Sequence, residues 1–156
     1  MNPDEEWKRA GLVLDHFNQL EGLMKDVIEA YVRPVETRAI FFRAYLLNNA
    51  IVPLAGKIKL IFAINNELSL VSLDRNRLHR LLAIRNAFAH NDVLSGFDVH
   101  IPENLESPIT EHVYMESIKG DGSIERLTRD RATGEFFTLH QYVKTALEEM
   151  VAKLRA

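Results

Sequence analysis

The chain predicts a mainly α protein, an up-and-down bundle of about five helices with a small β-hairpin insertion at about 96–137 before the last helix. Three observations carry this expectation. Apolar residues recur at three- and four-residue spacing along most of the chain. Prolines and paired asparagines interrupt that period at intervals of one helix length. From Ser95 to Phe137 glycine, proline and β-branched residues replace it.

The first helix starts at Asn2-Pro3-Asp4-Glu5, with Asn as cap, Pro at the first helical position and Glu at the capping-box position. Leu14, Phe17, Leu20 or Glu21, Met24, Ile28 and Tyr31 recur at helical spacing and give one apolar stripe as far as Pro34. A second helix is expected from Pro34 to about Asn48, with Ile40, Phe41, Tyr45 and Leu46 buried and Arg38 and Arg43 outward. Asn48-Asn49 and Pro53 end it, and Pro53 to Asn66 reads as a third helix through Leu54, Ile58, Ile61 and Phe62. Asp74 precedes a fourth, Arg75 to about His90, whose inward face is Leu78, Leu81, Leu82 and Phe88. His112–Ile118 and Ser123–Thr128 flank Gly120-Asp121-Gly122 as a hairpin, with Phe97–Ile101 or Glu135–Phe137 as an edge strand. Thr138-Leu139-His140-Gln141 reads as a capping box that opens the final helix, marked by Leu139, Tyr142 or Val143, Ala146 or Leu147, Met150 and Leu154.

With 156 residues, 47% of them apolar, the chain is expected to form a single domain over 1–156. A net charge of -3 provides no global cationic field, so a nucleic acid or anionic membrane would need a local patch. The absence of cysteine excludes disulfides, thiolate nucleophiles and Cys-based zinc sites. The apolar runs fall short of a bilayer span and the N-terminus is acidic, which reads as cytoplasmic with no membrane partner.

Most familiar chemistry is missing. Gly56-Lys57 lacks the upstream glycine and following Ser or Thr of a phosphate loop and reads as an ordinary helix pair. Ser95-Gly96 lacks the flanks of a nucleophile elbow. The six histidines show no metal-ligand spacing, so no metal and no cofactor is implied.

One stretch differs, Arg85-Asn86-Ala87-Phe88-Ala89-His90. On a helical projection Arg85 falls among Leu78, Leu81, Leu82 and Ala89, where a guanidinium needs a carboxylate or an anionic ligand. His79, Ala83, Asn86 and His90 form a polar stripe about a quarter turn away, with Arg75 beside it. Arg77 and Arg80 add positive charge to the same helix. A purely structural alternative pairs Arg85 with a glutamate of the first or second helix and leaves His90 as a helix C-terminal residue favoured by the macrodipole.

Leu81 to His90 resembles the signature of the HEPN superfamily of helical domains: Arg, a polar residue that is often Asn, then His four to six positions after the Arg, near the end of a penultimate bundle helix. The order of helices around it is similar as well. The resemblance implies a metal-independent endoribonuclease of toxin or defence type, built as a homodimer with a composite site. Arg85 and His90 would be its catalytic residues, and Asn86, His79, Arg75 and Arg80 would bind RNA. Asp92 stands where one toxin group places a modified tyrosine, so antitoxin control of that kind is not implied. Pro53 to Phe62 is similar to a helix of the mannitol operon repressor group. That second resemblance implies the alternative, a non-catalytic transcription regulator that binds a regulatory protein or nucleic acid.

Overall fold

The computed structural model describes residues 3–90, 97–100, 110–118 and 122–156. Helix α1 runs Pro3–Val32, with Pro3 in the first turn, where its missing N–H is no loss. The capping role expected of Asn2 lies outside the described residues. Arg33 takes a left-handed conformation (φ 49°) and Pro34 follows, which together stop the helix. Helix α2, Glu36–Phe41, passes directly into a π-helical turn, Phe42–Leu46. Helix α3 spans Leu54–Leu68 and ends on left-handed Ser69 (φ 51°). The side-chain amide of Asn65 then pins the connection by bonding both the N–H and the C=O of Val71, each at 2.9 Å. Helix α4 spans Arg75–His90, and strands β1 (Phe97–His100), β2 (Thr110–Ile118) and β3 (Ile124–Thr128) precede α5, Arg129–Arg155.

The fold is the mainly α bundle with a β insertion that the sequence predicts, with three corrections. The last helix begins at Arg129 rather than Thr138, so Glu135–Phe137 is helix and not strand. Thr128 Oγ1 accepts from the Arg131 N–H at 3.3 Å and caps the true start, while Thr138 Oγ1 donates back to the Gly134 carbonyl from inside the helix. The second correction concerns the second helix, whose Ile40, Phe41, Tyr45 and Leu46 are all exposed; Leu47 is the residue buried there. Arg43, expected outward, bridges Asp26 at 2.5 Å and Glu29 at 2.9 Å on α1. The third is in α1, where Val13 rather than Leu14 is buried and Tyr31 is exposed, its hydroxyl donating to Glu67 at 2.6 Å.

The chain divides into two compact units, and α1 and α5 contribute to both. The first comprises Met1–His16 and Arg75–Leu139. Its core is Ala10 and Val13 of α1, Leu78, Leu81, Ile84 and Phe88 of α4, Met115 and Leu127 of the sheet, and Ala132 and Phe136 of α5. The sheet has the order β1-β2-β3, both pairs antiparallel. Residues 110–113 of β2 pair with β1 and residues 114–118 with β3, so each half of the strand serves one neighbour. Met115 lies directly opposite Leu127, and both are buried. The start of α5 is fastened to α1 twice, by Arg9 to Asp130 at 2.7 Å and by buried Arg129 to Glu6 at 3.4 Å. This anchorage accounts for a helix start that lacks a proline or glycine signal.

The second unit comprises Phe17–Asp74 and His140–Ala156. Phe17, Leu20, Met24 and Val27 of α1, Ile58, Ile61, Phe62 and Ile64 of α3, and Val143, Leu147, Met150 and Leu154 of α5 form its core. The Lys57 side chain is fully buried within it, with Nζ 2.7 Å from Glu21 Oε1 and 2.5 Å from Asn49 Oδ1.

In the first unit Arg80 closes a clamp between elements. Its Nε and Nη2 reach the carboxylate of Glu135 on α5 at 2.6 and 2.9 Å, and its Nη1 reaches Glu125 on β3 at 2.5 Å. The hydrogen bond from Arg80 holds the Glu135 carboxyl below its ordinary value of 4.5, against an opposing effect of burial. A carboxylate with a lowered folded pKa adds stability that is fully present above 4.5 and is lost as pH falls through the folded value. Arg80→Ala is therefore expected to cost about 1 kcal/mol at neutral pH, a figure kept small because the clamp is partly open to solvent. In urea unfolding measured from neutral to acid pH, the gap between wild type and variant should shrink below pH 4.5. A gap that stays constant across that range would contradict the clamp.

Candidate functional site: the outer face of α4

The buried residues of α4 are Leu78, Leu81, Ile84, Ala87 and Phe88. This face is turned from the expected one: Ile84 is fully buried, whereas Leu82 is half-buried and Ala89 is exposed. The rotation places Arg85 at the rim of the packed face, where it is half-buried rather than enclosed. Its Nη1 donates to Asn86 Oδ1 at 3.0 Å, and its Nε is buried without a hydrogen bond among the described residues. The acceptor of Asn86 thus orients the guanidinium beside it.

Arg75, His79, Asn86 and His90 are all exposed. At 100° per residue they fall within about 60° of one another, on the side of α4 opposite its buried face, and the stripe is about 22 Å long. Its N-terminal end carries Arg75, at the positive end of the helix dipole, whereas Arg77 lies about 200° further round, on the other side of the helix. These features suit a polyanion, since one fixed cation and three further hydrogen-bonding side chains line one edge, and none of these described residues is a carboxylate.

Arg80 does not join this stripe. It is committed to Glu125 and Glu135, and a guanidinium satisfied by two carboxylates has no free fork for a phosphate. The RNA-binding role expected of it is withdrawn. The helix continues regularly through His90, so the five steps from Arg85 turn about 140°, and the two side chains of one copy diverge. Asp92 lies outside the described residues, as does Ser95-Gly96.

Sequence reasoning passed over the buried charges. Lys57, an ordinary helix residue by its sequence motif, lies one residue before Ile58 and four before Ile61, on the apolar stripe of α3. That periodicity was the available signal. Among the described residues no group of three His, Asp or Glu side chains is placed to hold a metal ion, and no helix is long and apolar enough to cross a membrane. Comparison with family models, characterised proteins and solved structures finds no match for this chain.

Proposed function

We propose that the protein is a metal-independent endoribonuclease of the HEPN toxin or defence type, cleaving RNA in a site shared by two copies of the chain. The observation that carries this reading is the end of α4: Arg85 is oriented by Asn86, and an exposed His90 closes the helix on the face that carries Arg75 and His79.

The chemistry follows from the side chains. A neutral imidazole takes the proton from a ribose 2'-hydroxyl, and the freed oxygen attacks the adjacent phosphorus. As the bond to the 5'-oxygen breaks, an imidazolium gives that oxygen a proton, leaving a 2',3'-cyclic phosphate and a 5'-hydroxyl end. Arginine keeps its charge throughout and donates to the phosphorane oxygens, where negative charge accumulates. Base and acid must be present together, and one chain has one His90. Two motif helices related by a twofold axis supply two imidazoles and two guanidiniums to the same cleft, which also answers the 140° divergence within one copy. Arg75 and His79 hold the flanking strand by its phosphates.

The test is incubation of the purified chain with RNA in EDTA. Cleavage in the absence of divalent metal supports the reading. Intact RNA in a retained, salt-sensitive complex would instead favour the regulator. Arg75→Ala is expected to weaken RNA binding several-fold and to lower the slope of log K against log salt by about 0.7, the value for one phosphate contact on a single strand. Titrations at several salt concentrations measure this, and an unchanged slope would remove Arg75 from the interface.

A further inference from the structure

Residues 36–46 are helical yet scarcely anchored. In α2 and the π-helical turn after it no residue is buried, and among the described residues their backbone hydrogen bonds go to partners between Val35 and Asn48. A helix of six residues is far below the length that holds by itself in water, and π turns have poorer intrinsic stability than α turns. Ile40 is already 80% exposed, Tyr45 60% and Phe41 57%, so detaching the segment uncovers little apolar surface that water does not reach. What holds it is charge. Arg43 Nη1 donates to Asp26 at 2.5 Å and to Glu29 at 2.9 Å, both on α1. Glu36 and Arg38, the other charged side chains of the segment, are exposed. The two ends are fastened differently. Before the segment, the Arg33 Nη2 donates to the Leu154 carbonyl at 2.8 Å. After it, Leu47 is buried and Asn49 accepts from buried Lys57.

We infer that residues 36–46 form a strap that opens and recloses as one piece between two fixed ends, with Arg43 as its latch and ionic strength as its control. The Arg43 side chain is 41% exposed, so mobile ions reach the pairs it makes and screen them. The Lys57 side chain, which fastens the end of the strap through Asn49, is fully buried and is screened much less. Salt therefore acts on the latch while the fastening beyond it holds. Opening frees the carboxylates of Asp26 and Glu29 on α1 and presents Phe41, Phe42 and Tyr45 in unwound chain, the form a protease attacks. The inference draws on the second unit alone and stands whether or not the protein cleaves RNA.

Amide hydrogen exchange of the full chain, read by mass spectrometry of its peptides, tests this. The amides of 36–46 are expected to exchange at least about a hundredfold faster than the central amides of α3, because the strap opens without the core. Their exchange should speed up about twofold between roughly 0.05 and 0.5 M sodium chloride. At low salt Arg43→Ala should raise it about fivefold, the effect of losing a partly exposed ion pair, and should abolish the response to salt. Arg38→Ala, in the same segment, should leave both unchanged. If Arg43→Ala fails to fold, Asp26→Asn with Glu29→Gln removes the latch from the other side, and the salt series on the wild type needs no variant. Brief chymotrypsin treatment of the native protein should cut first at Phe41, Phe42 or Tyr45, and sooner in Arg43→Ala. Protection of 36–46 equal to that of α3 would show that the segment opens only when the whole unit unfolds. Exchange indifferent to salt and to Arg43→Ala would show that Arg43 is no latch. Either result overturns the inference.

Discussion

His90→Ala is expected to lower the single-turnover rate of RNA cleavage by about 100-fold to 10,000-fold, the range for removing a general acid or base. Arg85→Ala should cost about 100-fold to 1,000-fold, as loss of a fixed donor to developing negative charge does. Arg85→Lys should recover little, because an ammonium group cannot reproduce the planar fork that Asn86 orients. The double variant should be no worse than about the more damaging single one, since both residues act on one transition state. Rates measured in EDTA at saturating enzyme test this, with the thermal midpoint as a control. His90 is exposed at the last turn of α4, so its truncation should leave folding intact. If His90→Ala cleaves like wild type, the imidazole has no part in the chemistry.

Glu21→Ala is expected to destabilise the protein by about 3–5 kcal/mol, the largest stability effect of any single substitution considered. The Lys57 side chain has no exposure, and its ammonium donates to Glu21 on α1 and to Asn49 in the segment before α3. Removing the carboxylate leaves a positive charge on a fully buried side chain, with the Asn49 amide oxygen as its remaining partner among the described residues. For a chain of this size the thermal midpoint should fall by about 10 °C. Replacing the pair together, Glu21→Leu with Lys57→Met, should restore most of the loss, because two apolar groups of similar volume need no compensation. Denaturant unfolding of the two single variants and the double variant measures the coupling. A Glu21→Ala protein within 1 kcal/mol of wild type, taken as about the limit for an exposed pair, would mean that the lysine escapes to solvent.

The helices were legible because their signals are local. Pro3, Pro34 and Pro53 mark ends or starts whatever the rest of the chain does, and the stripe through Phe17, Leu20, Met24 and Ile28 has one period and one buried side. The paired strands β2 and β3 were legible for the same reason, while the expected turn at Gly120-Asp121 lies outside the described residues. The start of α5 was not. Gly134 sits inside that helix, Thr138 to Gln141 imitates a cap in mid-helix, and the contacts that fix Arg129 and Asp130 come from Glu6 and Arg9, more than a hundred residues away.

Burial of α2 failed for a different reason. Periodicity tells which residues share a face, and it is silent on whether anything covers that face; Ile40, Phe41 and Tyr45 share one and remain open. At the candidate site the outward stripe of Arg75, His79, Asn86 and His90 was readable from angle alone. Arg80 was not, since its carboxylates arrive from β3 and α5. Arg85 fell between, because a shift of the packed face toward Ile84 and Ala87 moved it from the expected interior to the rim.

The most direct measurement uses an all-DNA strand carrying a single ribonucleotide, incubated with the wild-type chain in EDTA. Attack by a 2'-hydroxyl predicts one cut, immediately 3' of the ribose, with a 2',3'-cyclic phosphate on one fragment and a 5'-hydroxyl on the other by mass spectrometry. No cut in EDTA, cuts at deoxynucleotides, or cleavage that appears only with added divalent metal would contradict the account.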